Sequence, residues 1–229
     1  MNDSGQLEAA ASLIGEKGRA AMLVSLMDGS ARPAGELALV AGVSPQSATA
    51  HLSKLVEGQM LRVVRTGRHK YYRLASAAVA HAVEALSAAT PRGTIAERKS
   101  GGPDEKLRFA RTCYDHLAGR LAIELAQALQ RLGLVRALEG SFEVTRSGEA
   151  WLGEMGIDVE DTRSQRRAFA VPCLDWTERR FHIAGGLGAA LLREMLGRGW
   201  IARSRSSRAV RLTGPGKLAL NRKLGMKLG

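Results

Sequence analysis

Between Pro33 and Leu74 the apolar residues change their period from helical to alternating, and this change constrains the fold more than any other feature of the chain. In PAGELALVAGV, Pro33 suits a first helical turn and Gly42 the turn after the helix end. Ser44 then offers a cap and Pro45 a first helical position, and Gln46 to Glu57 run on with Ala48, Leu52 and Leu55 along one face. Two short helices joined by a glycine-containing turn make a helix-turn-helix. After Gly58 the pattern alternates through MLRVVR, TGRHK and YYRL, as a β-hairpin does. A helix-turn-helix followed by such a hairpin is a winged helix. An earlier helix is expected over 16–27, burying Ala20, Leu23, Val24 and Met27, and a closing Ala-rich helix from about Ser76 to Ala88, with Val79, Val83 and Leu86 on one face.

The second helix of the pair has a small, polar outer face. Stepping about 100° per residue, Gln46, Ser47, Ala50, Ser53 and Lys54 point away from the Ala48/Leu52/Leu55 stripe, with Thr49 and His51 on its flanks. Such a face suits a DNA major groove. Ser44, Gln46, Ser47, Thr49 and His51 are the expected contacts at the start of the helix, and Gln46, Ser47, Thr49 and His51 reach base edges, each good pair worth about 1–3 kcal/mol of discrimination. Lys54, Arg65, Arg68 and Lys70 are expected to hold phosphate, with His69 at the hairpin tip beside them.

Charge supports a polyanionic partner. The 34 Lys and Arg against 22 Asp and Glu give a formal net charge of +12 and a pI near 10.5. The excess is uneven. Residues 1–92 hold 10 basic and 7 acidic side chains, residues 104–161 hold 7 and 11, and residues 193–229 hold 10 and 1. Two basic regions therefore flank an acidic one, and a polyanion, most commonly nucleic acid, is the simplest partner for such clustering, the alternative being solvated Arg faces kept for solubility; double-stranded operator DNA is the expected partner once the helix-turn-helix is added.

The segment GELALVAGVSPQSATAHLSKLVEGQMLRVVRTGRHKYYRL resembles the DNA-binding core of the ArsR/SmtB family of bacterial repressors, through ELA…AGVS…HLSKL…G…GR…YY.L. The resemblance covers roughly the first 40% of the chain. It implies a homodimer, paired through the first and last helices of this domain, that reads a pseudo-palindromic operator. In many members of that family a ligand, often a soft metal ion, releases the DNA. This chain departs from the metal-sensing members. The helix Glu36-Leu37-Ala38-Leu39-Val40-Ala41 has no Cys, and the closing helix offers only His81 and Glu84, so no metal ligand set is assigned there.

With 45% hydrophobic, 24% charged and 4% aromatic residues, the chain has the material for an ordinary core, and its Ala, Leu and Gly favour helices packed on small residues. The expected fold class is mainly α, of α+β type: a winged helix-turn-helix amino-terminal domain plus two tandem winged-helix-like repeats. MNDSGQLEAAASLIGEKGR lacks the order of a signal peptide, no apolar run is long enough to span a membrane, and a cytoplasmic location is expected.

The expected domains are 1–92, a linker at 93–104, and a module at 105–229. The linker lies in TPRGTIAERKSGGPD, which has no apolar period. Beyond it, His116/His182, Ala118/Ala184, Gly119/Gly185, Leu121/Leu187 and Gly133/Gly199 share an offset of 66, and Thr145/Thr213 and Gly148/Gly216 an offset of 68. The repeats run over about 105–160 and 165–229, each read as a helix, a hairpin and a further helix.

Each repeat is preceded by a polar stretch with Cys and His. Cys113 and His116, three apart, are expected on one helix face. If the repeats pack about a pseudo-dyad, Cys113, His116, Cys173, Trp176, Arg179 and His182 converge on one effector-sensing or redox-sensing pocket. The effector is left open between a metal ion, an oxidant and a small organic ligand touching Trp176, Tyr114 and Arg179. The second repeat also carries a basic hairpin with Arg203, Arg205, Arg208 and Arg211, where the first has Glu139 and Glu143, and this second wing is expected to touch phosphate.

No enzyme is expected. The chain has no phosphate-binding glycine loop, dinucleotide fingerprint or paired CxxC, and Cys113, Asp115 and His116 lie too close in sequence to align as a triad. These features together describe a dimeric transcriptional regulator, a repressor released by an effector. The alternative is an architectural nucleic-acid binder without ligand control.

Overall fold

A computed structural model describes residues 3–66, 69–89, 105–204 and 207–228. The expected linker at 93–104 and the expected contacts Arg68 and Arg205 lie outside the described residues. The chain divides into two compact units, Met1–Val83 and Glu84–Gly229, so the boundary falls within the closing helix rather than at 92.

Unit 1 begins with α1 (Asp3–Ile14), a helix that hydrophobic period does not signal, and α2 (Lys17–Ser25). Glu16 caps α2, accepting from the Gly18 and Arg19 amides at 2.9 and 2.8 Å. The buried Arg19 guanidinium donates to the Leu13 and Ser12 carbonyls at the end of α1, at 2.6 and 2.7 Å. The expected stripe of α2 needs correction: Val24 is 41% exposed, and Met22, Leu23, Leu26 and Met27 are buried. α2 packs on two later helices at once, which buries that arc and turns Val24 outward.

A two-residue strand β1 (Arg32–Pro33) leads into α3 (Ala34–Ala41), which ends at Gly42 with φ +65°, a left-handed conformation that glycine adopts without steric cost. Then α4 (Pro45–Glu57) starts with Pro45 in its first turn, and the Ser47 amide donates to the Ser44 hydroxyl at 3.2 Å. Ala48, Leu52 and Leu55 are buried as the spacing predicts. β2 (Leu61–Thr66) and β3 (His69–Leu74) pair antiparallel from Leu61↔Leu74 to Thr66↔His69, and β1 adds a third strand on β3 through Arg32↔Tyr72. α5 (Ala77–Ala89) closes the unit and runs past its boundary. Its buried arc is Ala80, Glu84 and Ala88, while Leu86 is 50% exposed, so the expected Val79/Val83/Leu86 face is displaced around the helix.

Unit 2 contains, after α6 (Glu105–Phe109), one pattern of elements twice. The first run is β4 (Arg111–Cys113), β5 (His116–Ala118), α7 (Arg120–Arg131), β6 (Val135–Leu138), β7 (Ser141–Val144) and α8 (Arg146–Glu154). After a short α9 (Val159–Ser164) come β8 (Val171–Leu174), β9 (Phe181–Ala184), α10 (Gly185–Gly197), β10 (Ile201–Arg203), β11 (Val210–Leu212) and α11 (Gly214–Leu224). The unit of repetition is therefore hairpin, helix, hairpin, helix, and the leading hairpin is the part that the sequence reading took for helix.

The two runs exchange partners. β5 packs on α10 and β9 on α7. The Phe142 amide donates to the Ala170 carbonyl at 3.0 Å and the Val210 amide to the Ala110 carbonyl at 2.9 Å, the same bond made in both directions. A single apolar core joins the halves and takes in Leu121, Leu125 and Leu129 of α7 together with Leu187, Leu191 and Met195 of α10. No helix among the described residues is long and apolar enough to cross a membrane.

Candidate nucleic-acid interface and buried cysteine-histidine centre

On unit 1 the outer face of α4 is built as its polarity requires. Ser44, Gln46, Ser47, Thr49, Ser53 and Lys54 are exposed, and the Ser44 cap fixes the start of the helix that carries them. The Thr49 hydroxyl donates to the Pro45 carbonyl at 2.9 Å, leaving its oxygen to accept and its methyl group for apolar contact. His51 is corrected. Its Nδ1 lies 3.4 Å from the Arg19 Nη1 and 3.5 Å from the Glu16 carboxylate, so the ring is half-buried towards α2 instead of joining the outer face. Arg62, Arg65, His69 and Lys70 are exposed on β2 and β3, with Arg65 opposite Lys70 in register.

The second basic hairpin is only partly available. Arg203 and Arg211 are exposed, but the Arg208 side chain is 10% exposed, with Nη1 at 3.8 Å from the Glu84 carboxylate. The expectation that Arg208 contacts DNA is therefore corrected. Backbone pairing explains it: the Thr112 amide donates to the Arg208 carbonyl at 2.9 Å and pulls this residue against β4. Burial lowers its pKa from the ordinary value, against the favourable charge of Glu84.

In unit 2 the expected convergence of cysteines and histidines is found, on strands rather than a helix. Cys113 pairs with His116 across β4–β5, and Cys173 pairs with His182 across β8–β9. Residues three apart face each other across a two-residue hairpin turn as well as along a helix, and Tyr114 takes φ +59° in that turn. The second hairpin has a longer loop, so the same pairing is hidden in the sequence. All four residues are buried, at 0, 0, 7 and 0% exposure for Cys113, His116, Cys173 and His182.

The donor atoms of Cys113, His116 and Cys173 all lie within 4.8 Å of one another. His116 Nε2 lies 3.1 Å from His182 Nε2. Each ring turns its other nitrogen to a carboxylate: His116 Nδ1 is 3.5 Å from Asp115, and His182 Nδ1 is 4.0 Å from Asp175. Gly188 on α10 makes room for this, since a Cβ there would come within 3.1 Å of the His116 Cβ and 2.5 Å of the Ile183 carbonyl oxygen.

The two carboxylates are themselves held. Arg167 donates to Asp115 at 2.6 Å. Asp175 accepts from Arg111 Nη2 at 2.9 Å and the Gly119 amide at 2.7 Å, while its other oxygen accepts from the Thr177 amide and hydroxyl at 2.9 and 2.7 Å. Arg111 also donates to Glu84 at 2.8 Å and Thr177 at 3.2 Å. Burial works against the charge of Asp175, but Arg111 and these donors hold its pKa at about 2. Asp115 is likewise held at about 2, against its burial, by His116 and Arg167. The hydrogen bond with Cys173, and then burial, push the Cys113 thiol well above the ordinary value, so it stands as a neutral thiol. Burial opposes charge on His116, while the Cys113 sulfur and the Asp115 carboxylate favour it, with a net upward direction. With the thiol neutral, the carboxylate is the partner that acts.

Sequence reasoning missed Arg111, Thr177 and the role of Glu84. Trp176 is half-buried and stacks beside Arg111, whose Cζ is 5.1 Å from the ring centroid, and Arg179 takes φ +56° in the β8–β9 loop, its amide donating to the Asp175 carbonyl at 2.8 Å. Both thus support the loop that carries Asp175. A cavity lined by Leu117, Ala122, Leu125, Ile183 and Leu191 between the two halves measures only about 10 Å³, room for about one water.

A capped helix-turn-helix with an exposed polar outer face, followed by a basic hairpin, defines a winged-helix DNA-binding protein. No protein-family model matches the chain. The HTH-type transcriptional regulator YdfF of Bacillus subtilis (strain 168), itself uncharacterised, is 44% identical over 217 residues, which is 95% of this chain and 96% of YdfF. The chain belongs to this family of HTH-type transcriptional regulators, and the likeness runs through both units. Among solved structures, NolR from Sinorhizobium fredii is 27% identical with a TM-score of 0.35, covering 37% of this chain and 84% of NolR. HlyU from Vibrio cholerae N16961 is 22% identical with a TM-score of 0.35, covering 38% and 94%.

Proposed function

We propose that the protein is a homodimeric repressor of ArsR/SmtB type, which reads a pseudo-palindromic operator with α4 and is released by an effector acting in unit 2. The observation that carries this reading is the outer face of α4. Gln46, Ser47 and Thr49 sit exposed in its first turns, where a helix lying in the major groove meets base edges, and Lys54, Arg65 and Lys70 are exposed for phosphate. Ser44 contributes by capping the helix, and its hydroxyl is itself exposed there. Leu7 on α1 is 72% exposed and Leu86 on α5 is 50% exposed, which supplies apolar surface on the two helices that the sequence resemblance assigns to pairing.

The effector reading rests on the buried Cys113, His116, Cys173 and His182, with Trp176 and Arg179 acting through the Asp175 loop. Arg111 and Cys113 are two apart on β4, hence on one face of that strand. Arg111 holds Glu84 of α5, so a ligand in the centre acts on the pairing helix through one strand. An effector shifts the DNA-binding equilibrium only as far as it prefers one state of the protein. Exposed Arg203 and Arg211 extend the contact to phosphate beyond the operator core.

Footprinting over the promoter next to the protein's own gene tests the reading. The expected result is two protected half-sites spaced by about one helical turn, about 10 bp, or a multiple of it. A footprint without half-sites, from a protein that remains monomeric, would leave only the architectural alternative.

A further inference from the structure

We infer that Cys113, His116, Cys173 and His182 form a closed site for one thiophilic divalent cation of the zinc class, which clamps hairpin β4–β5 to hairpin β8–β9. This deepens the reading of unit 2 as the effector-responsive part and rests on it only for the regulatory meaning.

Three features carry the inference. The first is geometry. In a tetrahedral zinc site with bonds of about 2.0–2.1 Å to nitrogen and 2.3 Å to sulfur, the nitrogen-nitrogen edge is about 3.3–3.4 Å and the sulfur-sulfur edge about 3.8 Å. The Cys113, His116 and Cys173 donors lie within 4.8 Å of one another, and His182, outside that group, joins it through its Nε2 at 3.1 Å from the His116 Nε2, so the site forms as these side chains draw in to those edges. Each hairpin supplies one sulfur and one nitrogen from a directly opposed cross-strand pair, so the four donors approach from two sides.

The second feature is the outer shell. Both Nδ1 atoms face carboxylates and both Nε2 atoms face the centre. Drawn in to hydrogen-bond distance, such carboxylates orient imidazole as a metal ligand and raise its basicity. Arg167 on Asp115, and Arg111 with the Gly119 amide on Asp175, fix those carboxylates in turn. The third feature is donor type and enclosure. Two sulfurs and two imidazoles select zinc-class and softer ions over magnesium or calcium, which prefer oxygen. The adjoining cavity of about 10 Å³ has no room for an organic ligand. On binding, the two thiols each lose a proton to solvent, His116 gives up its imidazolium proton as well, and the divalent charge is matched by the two thiolates.

The test uses the reduced full-length chain, stripped with a chelator and titrated with cobalt(II). One cobalt per chain is expected, with a thiolate-to-cobalt charge-transfer band and the visible bands of a tetrahedral ion, all erased by stoichiometric zinc. Cys113→Ser and Cys173→Ser should each diminish the charge-transfer band. Asp115→Asn should preserve the shape of the spectrum and weaken binding by about 10–100-fold, as expected of a positioning residue. Should the cysteine variants fail to fold, alkylation of the unaltered protein decides the matter: zinc should slow modification of both cysteines, and chelator should restore it. Cobalt bound without the charge-transfer band, alkylation indifferent to zinc, or a Cys113–Cys173 disulfide in the protein as isolated would each overturn the inference. None of these readouts involves DNA, so metal binding and operator binding can fail separately.

Discussion

His116 and His182 face each other Nε2 to Nε2 at 3.1 Å, their ring centroids 5.1 Å apart and their planes tilted by 30°. One comes from each half of unit 2, each opposite its own cysteine and each with a carboxylate behind it. The core of unit 2 is thus polar where its two halves meet, with the buried Arg111, Glu84 and Asp175 close by.

Arg111 neutralises two buried carboxylates, Glu84 and Asp175, and is itself 0% exposed. Removing one partner of a buried ionic network leaves uncompensated charge, so Arg111→Leu should destabilise unit 2 by about 3–5 kcal/mol. Arg136→Leu, which breaks an exposed pair with Glu143, should cost less than about 1 kcal/mol. All three tryptophans, Trp151, Trp176 and Trp200, lie in unit 2, so urea unfolding followed by tryptophan fluorescence reports on that unit alone. Equal effects of the two variants would refute the assignment.

In unit 1, the residues proposed to read bases on α4 and those proposed to hold phosphate on β2 and β3 should separate by their salt dependence. Gln46→Ala and Ser47→Ala are expected to cost about 1–3 kcal/mol on the operator and little on unrelated DNA, relaxing specificity at single base pairs. Arg65→Ala and Lys70→Ala should weaken binding to every sequence and reduce the salt slope by about 1 each. Titrations at several salt concentrations on both DNAs make the comparison.

The second hairpin divides likewise. Arg203→Glu with Arg211→Glu should lower DNA affinity across all sequences and flatten the salt slope. Arg208→Ala should instead show unaltered salt dependence and a loss of about 1–3 kcal/mol in unit 2, because its side chain is 10% exposed beside Glu84. A DNA defect confined to Arg208→Ala would contradict the arrangement.

Gly188→Ala adds one methyl group where the His116 Cβ and the Ile183 carbonyl already stand at 3.1 and 2.5 Å. Overpacking of this kind costs about 1–3 kcal/mol, and it should also part the hairpins at the histidine pair. Gly197→Ala, with nothing within 4 Å of the added carbon, should leave the fold unharmed or slightly stabilised. Thermal unfolding of the two variants checks both signs.

The winged helix was legible because its signals are local: Ser44, Pro45 and Gly42 punctuate two helices, and period two takes over at Leu61. The short β1 escaped because two residues carry no period. In unit 2 the convergence of Cys113, His116, Cys173 and His182 was legible but their secondary structure was not, since a Cys-x-x-His spacing suits a helix face and a tight hairpin equally. The matching Cys173–His182 pair was concealed by a longer loop. The ionic network was beyond reach of sequence because Arg111 finds its carboxylates 27 residues upstream and 64 downstream, and Arg208, read as one of a solvated run, is drawn inward by a backbone bond.

The most direct measurement is a mobility-shift titration on the promoter next to the protein's own gene and on unrelated DNA of equal length, at stated salt, with the reduced protein stripped of metal and again loaded with zinc. Tight, salt-sensitive binding that prefers the promoter and weakens when zinc is bound is the expected result. Equal affinity for both DNAs would contradict the claim of operator recognition, and a preference identical with and without zinc would contradict its control by this metal.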